Sequence, residues 1–117
     1  MESEDGRTVY FSREMMASGL WSVPADGGEE TRIGDFKFNQ CYMYALCPDG
    51  VYYAATENTE QSFELWFYRF SSGRSEHIRR VKMRLESGMS LSPEGRYLLF
   101  TAAREGTSDL MMIENFR

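Results

Sequence analysis

The chain has 117 residues, 42% of apolar types and 26% charged, which suits one domain of ordinary size and argues against both a disordered segment and two independent cores. Eighteen Asp and Glu against thirteen Lys and Arg leave a formal charge of −5, so a general nucleic-acid binder, whose phosphate contacts need a basic surface, is not expected. Aromatic residues make up 15% of the chain and favour strands over helices.

The chain opens on Met1 to Gly6, acidic and polar, without the basic and apolar regions of a secretory signal, so no export address is expected in it. That reading points to the cytoplasm, or outside it if a parent protein is anchored in a membrane. Ser3-Glu4-Asp5-Gly6-Arg7 reads as a turn, and Thr8 to Ser12 as a strand. Gly19-Leu20-Trp21 opens a second apolar run, closed by the turn signals Pro24 to Gly28 before a short segment from Thr31 to Ile33. Tyr42 to Leu46 leads into the turn Cys47-Pro48-Asp49-Gly50, the run Tyr52 to Thr56, the run opened by Glu64-Leu65-Trp66, the turn Ser71-Ser72-Gly73 and the charged segment Glu76 to Lys82. Gly88 to Leu91, the turn Ser92-Pro93-Glu94-Gly95, the run Tyr97 to Thr101 and a last run from Asp109-Leu110-Met111 complete the chain. Strands are thus expected at roughly 7–13, 19–24, 31–34, 41–47, 51–57, 63–70, 76–82, 88–92, 96–103 and 108–114, with no long helix.

These elements repeat. Asp5-Gly6, Asp49-Gly50 and Glu94-Gly95 recur at spacings of 44 and 45, and Leu20, Leu65 and Leu110 at 45 both times. The recurrence of an acid before glycine fits turn chemistry, so Asp5, Gly6, Asp49, Gly50, Glu94 and Gly95 are read as structural turns of one kind rather than a carboxylate set. One repeat is four strands joined by three turns. The middle two are apolar at nearly every position, as strands covered on both faces are; Glu76 to Lys82 carries charge on both faces, as an outer edge does. Sheets of this kind stacked face to face make an all-β partial β-propeller of about three four-stranded antiparallel blades, an incomplete ring with repeats at about 1–38, 39–83 and 84–117.

The residues resemble the TolB-type, WD40-like propeller repeats, whose blades show an S-P-D-G turn, an apolar strand, and a strand opening acidic-apolar-aromatic. The match is Ser92-Pro93-Glu94-Gly95 with Asp109-Leu110, Cys47-Pro48-Asp49-Gly50 with Glu64-Leu65-Trp66, and Ser3-Glu4-Asp5-Gly6 with Gly19-Leu20-Trp21. Departures are Glu4 for Pro, Cys47 for Ser and Gly19 for an acid. Asp109 to Arg117 is also similar to the C-terminal end of propellers attached to bacterial winged-helix regulators or protein kinases. The resemblance implies a non-catalytic module for protein or ligand interaction in a larger bacterial sensory or regulatory protein. Its alternatives are an accessory domain of a prolyl-oligopeptidase-type serine peptidase and a TolB-like envelope docking protein.

A ring closes with about four to eight blades, so a fragment is expected, its partners being a protein or the remaining blades of a parent chain. Self-association of two arcs into a homo-oligomer is the other way to cover the end faces, on which Val9, Phe11, Trp21, Leu98 and Phe100 are expected. No apolar stretch approaches the roughly 20 residues of a transmembrane helix, so no membrane segment is expected.

Chemistry is sparse. His77, the single histidine, lies in a charged segment with no second ligand at metal spacing and reads as a solvated outer-strand residue. Gly88-Met89-Ser90-Leu91-Ser92 approaches a nucleophile elbow but has Ser at the last position and no helix after it, so Ser90 reads as an inner-strand residue. Cys41 and Cys47, six residues apart in one extended segment, read as free thiols. No catalytic residue, cofactor or metal is expected. Residues 61–117 hold nine Lys and Arg against seven acids, residues 1–60 four against eleven. Arg69, Arg74, Arg79, Arg80, Lys82 and Arg84 fall within sixteen residues and are the candidate contact for an anion or an acidic partner, beside their reading as a protected outer edge.

Overall fold

The computed structural model describes residues 2–3, 5–13, 16–40, 43–55, 62–104 and 107–114, with backbone alone at 16–18, 37–40, 84–88, 102–104 and 107–110. Ten strands follow in order: β1 (Thr8–Ser12), β2 (Met16–Pro24), β3 (Thr31–Gln40), β4 (Tyr44–Cys47), β5 (Gly50–Ala55), β6 (Phe63–Arg69), β7 (Arg74–Val81), β8 (Arg84–Leu91), β9 (Tyr97–Arg104) and β10 (Thr107–Glu114). Among the described residues there is no helix, and so none long and apolar enough to cross a membrane.

Three antiparallel sheets result, β1-β2-β3, β4-β5-β6-β7 and β8-β9-β10, each a simple meander. The chain is all-β, a partial propeller in which, among the described residues, the middle blade has four strands and the outer two have three each. Among the described residues the inner side of β1 carries a single isolated antiparallel bridge, from Glu2 to Val9.

Several strands run longer than their apolar pattern. β3 continues to Gln40 because its pairing with β2 resumes beyond the irregularity between Leu20 and Ser18, and β8 reaches back to Arg84 because its pairing with β9 resumes beyond two register shifts. A bulge re-aims side chains and hides period two from a sequence pattern.

The core lies where the outer blades press on the middle one. Val51, Tyr52, Tyr53 and Ala54 on β5 are all buried, as a strand covered on both faces must be. On β6 burial alternates: Phe63, Leu65 and Phe67 are buried, and Glu64, Trp66 and Tyr68 are half-buried. Phe36 of β3 stacks on Tyr53 at 4.3 Å between ring centroids and meets Tyr68 at 4.9 Å, closing the first interface. Phe63 meets Phe100 of β9 edge to face at 5.4 Å, closing the second. Each such ring, fully buried, contributes about 1.5–3 kcal/mol.

That second interface corrects one expectation. Leu98 and Phe100 are 0% and 2% exposed and face the middle blade, because alternation along β9 turns the neighbouring positions outward instead. Val9, Phe11 and Trp21 are half-buried, and Met112 of β10, 58% exposed, is the exposed large hydrophobic of the described residues.

Candidate functional site

The turns that precede the second strand of each blade are two kinds, not one. In the first and third, serine ties the turn. The Ser92 hydroxyl accepts from the amides of Arg96 and Tyr97 at 3.2 and 3.0 Å, and the Ser3 hydroxyl accepts from the Thr8 amide at 3.1 Å. Ser3 also donates to Asp5 at 2.6 Å, and Asp5 accepts from the Arg7 amide at 3.0 Å; these bonds hold its carboxyl below the usual range, the serine contributing most. Both turns pass through a left-handed glycine, Gly6 at φ 71° and Gly95 at φ 77°.

The middle turn is a two-residue hairpin in which Cys47 pairs directly with Gly50. Sulfur is a weak acceptor, so the Cys47 thiol does not gather amides; it lies 3.5 Å from the Gly50 carbonyl as a donor. Gly50 is required for space rather than for φ: a Cβ there would stand 2.0 Å from the Tyr68 carbonyl oxygen. Cys47 is a free thiol, and Cys41 lies outside the described residues.

Between the middle and third turns lies an open cleft of about 380 Å³. Leu46, Pro48, Leu91 and Pro93 give it apolar walls, and Asp49 and Glu94 give it acids with no ion pair among the described residues. Sequence reasoning read Pro48, Asp49, Pro93 and Glu94 as turns and Leu46 and Leu91 as the ends of the strands before them. The signal available was the repetition itself, since equal turns on adjacent blades must fall side by side.

A second group crosses β6 and β7. Glu64, with its side chain 15% exposed, takes His77 Nε2 at 2.5 Å on one carboxylate oxygen and Arg80 Nε at 2.6 Å on the other. Those contacts hold the Glu64 carboxyl below its ordinary value, the histidine contributing most and the arginine next. Trp66 meets His77 edge to face at 5.1 Å. With one acid and one imidazole this is an ion-pair cluster, and no group of three or more metal-type ligands exists among the described residues. Tyr53, on the same side of the sheet, donates to Ser75 at 2.9 Å, and burial pushes its phenol up.

The basic residues do not form one patch. Pairing opposite Phe67 and Leu65 places Glu76 and Arg79 on one side of the middle sheet, whereas pairing opposite Trp66 and Glu64 places His77 and Arg80 on the other, the bulge after Leu65 shifting the phase. Arg69 pairs with Glu76 at 3.7 Å and lies over the Phe67 ring at 5.2 Å. Arg74, Arg79 and Lys82 are exposed and unpaired among the described residues, and the Arg84 side chain lies outside them. Ser90 lies in β8 beside Met89, which is buried, with no histidine near it in the pairing.

No protein-family model matches the sequence, and no curated protein does. Solved structures match the fold. A TolB protein from Agrobacterium tumefaciens superposes with a TM-score of 0.73 at 20% identity, over 97% of this chain and 40% of its own. TolB from Acinetobacter baumannii superposes at 0.62 and 20% identity, over 92% of this chain and 27% of its own. The chain therefore spans less than half the length of either neighbour. Its three sheets have the fold of part of a TolB-type β-propeller.

Proposed function

We propose that this chain is a non-catalytic propeller module for protein interaction, forming part of the ring of a larger bacterial sensory or regulatory protein and divided into blades at about 1–38, 39–83 and 84–117. The observation that carries this reading is the stacked arc: three sheets match 40% of a TolB chain, and among the described residues the end sheets have three strands each where the middle one has four. The acidic cleft between the middle and third turns offers a docking surface. A TolB-like envelope docking protein is a second reading, favoured by the same superpositions. The exposed cations of β7 are an additional contact for an acidic partner.

The test is site-directed photocrosslinking at Asp49, Glu94 and Arg79 in the full reading frame, expressed in its own host. Adducts with one protein from the turn cleft support the reading. Turnover of peptide esters by the purified protein, abolished by Ser90→Ala, would defeat it. Light scattering of the isolated 117-residue chain is expected to show dimers or larger species, because Trp21 and Met112 stand on end faces that a closed ring would cover.

A further inference from the structure

We propose that the outer flank of the first and middle blades is a docking surface for a second copy of this chain, the acidic outer strand of the first blade in one copy facing the basic outer strand of the middle blade in the other, twice, about a two-fold axis.

The outer strands carry opposite charge in equal measure. Residues 25–36, the turn into β3 and the first half of that strand, hold four acids and one cation, whereas residues 74–82, β7 and the residue after it, hold four cations and one acid. The shift of 45 residues that carries Trp21 to Trp66 and its cross-strand partner Arg32 to His77 also carries Glu29 to Arg74 and Asp35 to Arg80. Sign is reversed at equivalent places. The chain does not use these charges internally: Asp26, Glu29 and Asp35 on one side and Arg74, Arg79 and Lys82 on the other are exposed and form no ion pair among the described residues.

The two strips are neighbours. β3 and β7 stand at corresponding ends of adjacent sheets. Gly34 of β3 approaches Tyr68 so closely that a Cβ there would stand 2.8 Å from its ring, and Tyr68 is the cross-strand partner of Ser75 on β7. The start of the β6–β7 turn also lies against the first blade, Phe70 stacking on Tyr10 at 5.8 Å. A flank with a negative strip beside a positive one is complementary to itself: a two-fold axis along the boundary turns each negative strip onto the positive strip of the other copy, and the assembly closes at two. The same charges disfavour backbone pairing between the two edges, so side chains carry the contact. An unrelated acidic protein would answer β7 alone; a second copy answers both strips. The inference rests on the contact between the β7 cations and an acidic partner put forward above, and gives that partner a chemical identity.

The test mixes isotopically heavy and light copies of the complete chain and couples them with a water-soluble carbodiimide, which joins a lysine amine to a carboxylate in direct contact. Hybrid products joining Lys82 of one copy to Asp35 or Glu29 of the other are expected. Self-association read by sedimentation should weaken at least about tenfold between about 0.01 M and about 1 M salt, as the screening length falls from about 30 Å to about 3 Å. Glu29→Arg with Asp35→Arg, and separately Arg74→Glu with Arg79→Glu, should each weaken it about tenfold, and mixing the two variants should restore it. Coupling on the unaltered chain decides the matter if a variant fails to fold. Association through apolar end faces would persist in salt and ignore both charge reversals, and that outcome, or the absence of hybrid products at Lys82, would overturn the proposal. Photocrosslinks from Arg79 to a different protein alone would overturn it too, while leaving the interaction module standing.

Discussion

The middle and third blades share a 45-residue pattern and differ in their surroundings. β5 and β6 carry buried side chains because a sheet lies on either side, whereas β10, at the repeat position of β6, exposes Met112. Leu65 is 0% exposed; Met112, the counterpart of the 1% exposed Phe67, is 58% exposed. The repeat encodes a strand, and only its neighbours decide whether that strand becomes core.

Substitutions in the two strands sharpen the contrast. Leu65→Ala should destabilise the fold by about 2–5 kcal/mol, whereas Met112→Ala should stay within about 0.5 kcal/mol, both read by urea unfolding. Similar losses at the two sites would mean that β10 is covered in solution, through association or a rearranged arc.

Glycines at equivalent turns give the next contrast. Gly50→Ala forces a Cβ to 2.0 Å from the Tyr68 carbonyl oxygen, so the hairpin must open or the β5–β6 pairing must shift; a loss of at least about 3 kcal/mol, or failure to fold, is expected. Gly95→Ala meets open space and costs only the left-handed backbone, about 1–2 kcal/mol. Circular dichroism on heating separates the two.

Much of this fold was legible in sequence because turn chemistry and period are local properties. Asp-Gly and Glu-Gly at spacings of 44 and 45 located three hairpins, and runs such as Tyr52 to Ala55 announced buried strands. What escaped depends on phase and on chemistry across space. Leu98 and Phe100 face the middle blade because of pairing register, which a run of four apolar residues does not reveal. Cys47 takes the place of a turn serine in the repeat, but sulfur is a weak acceptor, and that turn closes as a tight Cys47–Gly50 hairpin in place of the serine-to-amide bonds. Six clustered cations read as charge on both faces of an outer strand; alternation does place Arg79 and Arg80 on opposite sides, but the bulge after Leu65, which no sequence pattern shows, is what brings His77 to the same side as Arg80. His77 read as a solvated residue; it is 45% exposed, but it is also the main hydrogen-bond partner of Glu64, which lies thirteen residues away on the adjacent strand.

The serine turns supply a smaller effect. Ser92→Ala removes the acceptor for two amides and should cost about 1 kcal/mol, whereas Cys47→Ala loses one weak contact and should cost less than about 0.5 kcal/mol. Equal costs in thermal melts would show that the two kinds of turn are energetically alike.

The smallest effect is in the acid limb of stability and again divides the middle blade from the third. Glu64 is held below its ordinary pKa by His77 first and Arg80 second, so its contribution is fully present above the unfolded carboxylate value and is lost as pH falls through the lower folded one. Glu64→Gln should therefore flatten the dependence of the urea midpoint on pH below about 4.5, where unfolded glutamate begins to protonate, and the two proteins should converge at the acid end. Glu114 faces Arg96 at 3.6 Å with both side chains largely in water, an exposed ion pair that salt screens. An identical acid limb in Glu64→Gln and the unaltered chain would mean that the bonds from His77 and Arg80 to Glu64 are not held in solution, and the contrast between a carboxylate tied across two strands and one on an open edge would be lost.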